Sequence, residues 1–134
     1  MAKLVDIEGI GQKYVQALKN AGIGSQKGLL ERGATPAGRK KIAQDAGLKE
    51  KQILEWVNRA DLSRIKGIGE EYADLLEAAG VDTVPELARR KGQNLFSAIQ
   101  AVNGEKKLVR QLPTSTQVDG WINQAKALPR KVKY

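Results

Sequence analysis

The chain repeats itself. The run Leu4-Val5-Asp6-Ile7-Glu8-Gly9-Ile10-Gly11-Gln12-Lys13-Tyr14 recurs 58 residues later as Leu62-Ser63-Arg64-Ile65-Lys66-Gly67-Ile68-Gly69-Glu70-Glu71-Tyr72. The register holds without a gap through Leu18/Leu76, Ala21/Ala79, Gly22/Gly80, Leu29/Leu87 and Arg32/Arg90, with 11 identities in 29 positions between 4–32 and 62–90. A later echo sets Gln52 to Asn58 against Gln117 to Asn123, now 65 apart, so the second copy carries seven extra residues between its early and late parts. Two matches in the same order make duplication a better explanation than chance. The spacing places a first repeat at 1–60, a second at 61–128, and a basic tail at 129–134 that is ordered only where it docks. With no flexible linker between the copies, the two halves are expected to pack around a pseudo-twofold axis as one compact unit.

Periodicity makes both copies helical. After each Gly-Ile-Gly the apolar residues fall at helical spacing: Tyr14, Val15 and Leu18 in one copy, Tyr72, Leu75, Leu76 and Ala79 in the other. Gly22 and Gly80 stand where left-handed C-caps would close those helices. Ser25 and Thr83 mark the next helix starts, the latter with Pro85 close behind. Thr35-Pro36 predicts an N-cap and first helical residue for a helix running to about Ala46 and closed by Gly47. Residues from about Glu50 to Leu62 form an amphipathic helix with Ile53, Leu54, Trp56 and Val57 inward. Asn94 and Ser115 are the expected N-caps of two further helices, the last carrying Val118, Trp121, Ile122 and Ala125. No alternating apolar-polar stretch is long enough for a strand, so the fold class is all-α. Trp56 and Trp121 hold corresponding places on apolar faces and read as core anchors, as do Tyr14 and Tyr72.

Composition narrows the chemistry. The 134 residues include no cysteine and no histidine, which removes disulfides, thiolate metal sites and the commonest general base together. No carboxylate cluster resembles a metal site, so no metal, cofactor or catalytic residue is expected, and the chain reads as non-enzymatic. No apolar run reaches the length of a membrane span and no signal-peptide pattern is present; a soluble, cytoplasmic protein with no membrane partner is the expectation. Six aromatic residues are too few for a base-stacking platform. The net charge of +8 points to a polyanionic partner.

The apolar-x-Gly-Ile-Gly entry to a helix, closed about eleven residues later by Ala-Gly-Ile or Ala-Gly-Val, resembles the helix-hairpin-helix motif of DNA-repair, recombination and replication proteins. It reads Ile7-Glu8-Gly9-Ile10-Gly11 through Ala21-Gly22-Ile23 in the first copy. In the second it reads Ile65-Lys66-Gly67-Ile68-Gly69 through Ala79-Gly80-Val81. Over nearly its full length the chain is also similar to a small bacterial family of tandem helix-hairpin-helix proteins catalogued as a domain of unknown function. The run from Ile53 to Gly67 is characteristic of that family. The resemblance implies two tandem helix-hairpin-helix repeats and sequence-independent contact with a nucleic-acid backbone.

Physical chemistry points to the same turns. Two glycines around one isoleucine permit a tight, partly positive-φ bend and let a ligand approach the backbone closely. The helix that follows opens with unpaired amides and a partial positive charge, which together favour an anion. Gly9, Ile10, Gly11 and Lys13 are therefore the predicted phosphate-binding residues, Ile10 as the buried anchor. At the second hairpin Gly67, Gly69 and Lys66 form a weaker candidate, because Glu70 and Glu71 oppose the helix dipole and repel phosphate. The same glycines serve a purely structural turn equally well.

Charge is unevenly spread: +5 over the first sixty residues, −5 from Asp61 to Ala88 and +8 from Arg89 onward. Lys40, Lys41, Arg89 and Arg90 are the expected supporting basic patch, the first two beside Arg39, and Lys106, Lys107 and Arg110 belong to the second basic cluster. The expected activity is nucleic-acid binding, DNA first. The alternative is an adaptor that meets a protein partner or itself, since Asp6, Glu8 and Lys13 of one hairpin complement Arg64, Lys66, Glu70 and Glu71 of the other.

Overall fold

Ser and Thr side chains start four helices, each accepting a 3.1 Å hydrogen bond from the amide three residues on: Ser25 from Gly28, Thr35 from Gly38, Thr83 from Glu86 and Thr114 from Gln117. In the computed structural model, which describes residues 3–7 and 9–134, these caps open α2 (Gln26–Arg32), α3 (Pro36–Ala46), α6 (Val84–Arg89) and α8 (Ser115–Ala127). The remaining helices are α1 (Gln12–Asn20), α4 (Glu50–Leu62), α5 (Glu70–Ala78) and α7 (Gly92–Lys106), and a 3-10 turn spans Leu4–Asp6. Among the described residues there is no strand, and the chain is all-α as expected. No helix among them is long and apolar enough to cross a membrane.

Two N-caps fall elsewhere than the sequence reading places them. Thr114, not Ser115, caps α8, because Thr114 and Gln117 form a reciprocal capping box in which the Gln117 side chain accepts from the Thr114 amide at 2.8 Å. Asn94 lies inside the first turn of α7, whose N-cap is Lys91 with no side-chain bond. At the start of α7 the Asp119 carboxylate of α8 occupies the space a Cβ on Gly92 would need.

The chain divides into two compact units, residues 1–61 with 130–134 and residues 62–129. In the first unit α1 and α2 pack on α3, and Leu18, Ile23, Leu29, Ile42, Ile53 and Trp56 build the core. In the second, α6 and α7 pack on α8 and α5 on α7, around Leu62, Ile65, Leu75, Leu76, Leu87 and Trp121. The tail docks on the first unit. Val132 is 1% exposed in that core, and the Lys133 amide donates to the Ala34 carbonyl at 2.7 Å. Arg39, 5% exposed, donates to the carbonyls of Gly33 (2.8 Å) and Lys133 (2.7 Å), and the Tyr134 hydroxyl donates to Asn58 Oδ1 at 2.7 Å. Burial pushes the Arg39 guanidinium below its ordinary pKa, opposed by Tyr134 and Glu50.

One close approach in the first unit leaves no room for a side chain. A Cβ on Gly38 would overlap the backbone carbonyl of Arg32, which cannot swing away as a side chain can. Gly38→Ala is expected to destabilise the protein by about 2–3 kcal/mol in a urea melt, the cost of overpacking against backbone.

Candidate functional site

The repeat is recognisable bond by bond. Ile7 donates to Leu4 O at 3.0 Å and Ile10 to Ile7 O at 3.1 Å; Ile65 donates to Leu62 O at 3.1 Å and Ile68 to Ile65 O at 3.2 Å. The first glycine of each turn needs its freedom, with φ of 90° at Gly9 and 96° at Gly67. Both isoleucines are buried, Ile10 at 4% and Ile68 at 5% exposure, and pin the bends to their cores. Behind each bend stands a tryptophan. Trp56 Nε1 lies 3.6 Å from where a Gly9 Cβ would sit, and Trp121 Nε1 2.9 Å from that of Gly67. The rings pack on Tyr14 and Tyr72 at centroid distances of 5.2 and 5.3 Å, so the aromatic residues are core anchors as expected.

The second glycines differ in kind. Gly11 and Gly69 are N-caps in ordinary extended backbone, with φ/ψ of −88°/−176° and −91°/−171°. A Cβ at either would meet nothing within 4 Å. Neither conformation nor internal packing therefore demands glycine there. Neither N-cap offers a side chain to the first-turn amides; in α1 the Tyr14 amide donates to the Gly11 carbonyl at 3.1 Å, which leaves those of Gln12 and Lys13 without an acceptor in the helix.

Gly9, Gly11, Gln12 and Lys13 are exposed, so the first bend opens to solvent at the start of a nine-residue helix with no acid in its first turn. At the second bend Gly67, Gly69 and Lys66 are also exposed, and Glu70 and Glu71 fill the first turn of α5. A shallow depression of about 350 Å³ lies there, lined by Gly67, Gly69, Glu70, Glu71 and Tyr72. The backbone of Lys66 is clamped by Gln124, which accepts from its amide at 2.9 Å and donates to its carbonyl at 3.2 Å. Arg64 donates to the Pro129 carbonyl at 3.2 Å. Glu8 lies outside the described residues.

The supporting cations fare unequally. Lys40 and Lys41 are exposed on α3, against which α1 packs, and Lys41 makes a surface pair with Asp45 at 3.3 Å. Such a pair contributes about 0–1 kcal/mol and leaves the lysine recruitable. Arg39, read from the sequence as part of that basic cluster, is instead a buried strut. Arg89 reaches Glu86 at 3.7 Å and the Pro85 carbonyl at 3.3 Å. Arg90 reaches Glu86 and the Gly80 carbonyl, each at 3.2 Å. Its repeat partner Arg32 donates to the Ala21 carbonyl at 2.5 Å, so the matched arginines close the C-termini of α1 and α5.

Those C-termini end alike. Ile23 donates to Leu18 O at 2.9 Å and Val81 to Leu76 O at 2.8 Å, across Gly22 and Gly80 at φ of 86° and 95°. The arginines and left-handed glycines explain why these positions match between copies: they close the C-terminal ends of the two helices that the bends open. A family model described as Domain of unknown function (DUF4332) spans residues 8–128, both bends included. The chain belongs to the DUF4332 family. No curated protein and no solved structure matches it. The DUF4332 match covers both units, from the first bend to the end of α8, and stops short of the docked tail.

Proposed function

We propose that this DUF4332 chain is a tandem helix-hairpin-helix protein that binds nucleic acid, DNA in the first instance, without sequence preference and without catalysis. One phosphate oxygen is cradled by the open amides following Gly9-Ile10-Gly11, and Lys13 supplies the charge. The observation that carries this reading is Gly11: an exposed helix start whose missing side chain serves no internal purpose but leaves the backbone open to a ligand. Charge distribution supports it. The first unit holds 14 basic against 7 acidic residues (+7), the second 9 against 8 (+1). Lys40 and Lys41 widen the footprint within the first unit. Arg89 and Arg90 are secondary, since carbonyls and Glu86 already engage them.

With about two to four phosphates neutralised by the first unit, that unit should contribute roughly −2 to −4 to the slope of log K against log salt. Lys13→Glu is expected to weaken binding to all duplex sequences alike and to make the slope shallower by about one. Fluorescence anisotropy of labelled duplexes across salt concentrations measures both. A wild-type chain that binds no duplex in low salt removes the reading at its root.

The depression at the second bend favours a second reading, an adaptor. Glu70 and Glu71 stand exposed there, and among the described residues neither forms an ion pair. A cation-bearing segment of a partner protein, or of another copy, would complement them. Light scattering distinguishes the readings: self-association that dissolves with salt, without duplex affinity, is the adaptor's signature.

A further inference from the structure

The copies close their third helix with the same turn but different residues. In the first unit α3 ends on Gly47, at φ 69° and ψ 35°; in the second α7 ends on Lys107, at φ 50° and ψ 48°. Lys107 is the one non-glycine residue with positive φ among those described. A left-handed backbone crowds a Cβ against the following carbonyl, and glycine avoids the conflict. The second copy retains a lysine where the first uses the residue the geometry prefers. Strain of this kind concentrates at functional positions.

The seven extra residues of the second copy fall in this region. Helix α7 has 15 residues against 11 in α3, and the connection to the next helix runs over 107–114 instead of 47–49, a gain of nine that two fewer residues before α7 reduce to seven. The longer loop is held in place. Asn103 donates to the Val109 carbonyl at 3.2 Å and accepts from its amide at 3.0 Å, Val109 is buried, and the Tyr72 hydroxyl donates to the Gln111 carbonyl at 3.2 Å. From this anchored frame Lys106, Lys107, Leu108 and Arg110 project to solvent.

Like Lys66, Lys91 and Lys126, these cations form no ion pair among the described residues, whereas the other arginines of the unit are engaged. Arg64, Arg89 and Arg90 donate to carbonyls of their own unit, while among the described residues Lys106, Lys107 and Arg110 form no ion pair, even with exposed Glu105 alongside. Favourable charge for the C-terminus of α7 is already supplied by Lys106 in its last turn, so the helix dipole does not account for the strained lysine that follows.

We propose that this inserted loop is the second unit's own nucleic-acid contact, with Lys106, Lys107 and Arg110 on backbone phosphates and Leu108 as the apolar contact between them. It takes the place of a bend that Glu70 and Glu71 have closed to phosphate. The proposal rests on the reading that the chain binds nucleic acid and adds a footprint distinct from Gly9–Lys13.

The test pairs stability with binding. Lys107→Gly relieves the left-handed strain and removes a charge, so the melting temperature of the second unit should rise by about 4–8 °C while duplex affinity falls. The triple variant Lys106→Gln, Lys107→Gly, Arg110→Gln should reduce affinity tenfold or more in low salt and make the salt slope shallower by about two to three. Circular dichroism verifies its folding, and Lys13→Glu is titrated beside it. If the triple variant matches wild type on duplex while Lys13→Glu weakens binding, the loop proposal is overturned and the first bend stands. If the triple variant weakens binding and Lys13→Glu does not, the loop stands and the first bend falls. A wild type without duplex affinity overturns both. Lost binding to vesicles of anionic lipid with duplex affinity intact assigns the loop to a membrane surface and overturns the proposal. A lower melting temperature for Lys107→Gly makes the lysine a structural cap and also overturns it.

Discussion

Trp121→Ala is expected to destabilise the second unit by about 3–5 kcal/mol, the range for deleting a buried indole. Trp121 is 2% exposed, packs on Tyr72 at an interplanar angle of 51°, and presses its Nε1 against the turn at Gly67. Removing it opens a cavity directly beneath the bend. Trp121→Phe keeps the ring against Tyr72 and should lose clearly less. Urea denaturation followed by circular dichroism measures both, and hydrogen exchange assigns the loss to residues 62–129. A loss below about 1 kcal/mol for the alanine variant would show that the indole is not the anchor of the bend.

Removing residues 130–134 should destabilise the first unit by about 3–5 kcal/mol, a large effect for five residues at a chain end. Two terms add. Val132 is fully buried, and its side chain contributes about 1.5–2 kcal/mol by leaving water. The Lys133 carbonyl accepts from the buried Arg39 guanidinium, and losing the acceptor of a charged donor in the interior costs about 1.5–3 kcal/mol. Two point variants apportion the effect. Val132→Ala in the full chain should reproduce part of the loss. Lys133→Ala should be near neutral, because only the backbone of that residue is used and its side chain is exposed. A truncated chain as stable as the full one in urea contradicts the docked tail.

Some of this was legible in the residue order. Thr35-Pro36 and Gly47 delimit α3 as expected, because an N-cap hydroxyl, a proline at the first helical position and a left-handed glycine act on neighbours a few residues away. Glu50 to Leu62 is likewise the helix expected. The true cap of α8 was readable too: Thr114 and Gln117 carry the capping-box spacing, and Ser115 is simply the next hydroxyl along. The start of α7 was not, since it opens on Lys91 with no side-chain cap.

The candidate site divides the same way. That Gly9, Gly11 and Lys13 share one bend follows from sequence spacing, as does the placing of two adjacent glutamates in the first turn of the helix after the second bend. Which cations are available does not. Arg39 lies next to two exposed lysines, yet a carbonyl 94 residues away makes it a buried strut. Arg90 looks like its neighbour Arg89 until the end of α5 is seen beside it.

Sequence alone determined the duplication, the helical elements and the glycine bends, because capping, helical periodicity and left-handed turns are interactions within a few residues. Tertiary structure alone decided where the last five residues dock, which arginines are engaged, and that Lys107 carries a backbone its counterpart assigns to glycine. Those outcomes depend on carbonyls and cavities contributed from distant parts of the chain, and no local pattern records them.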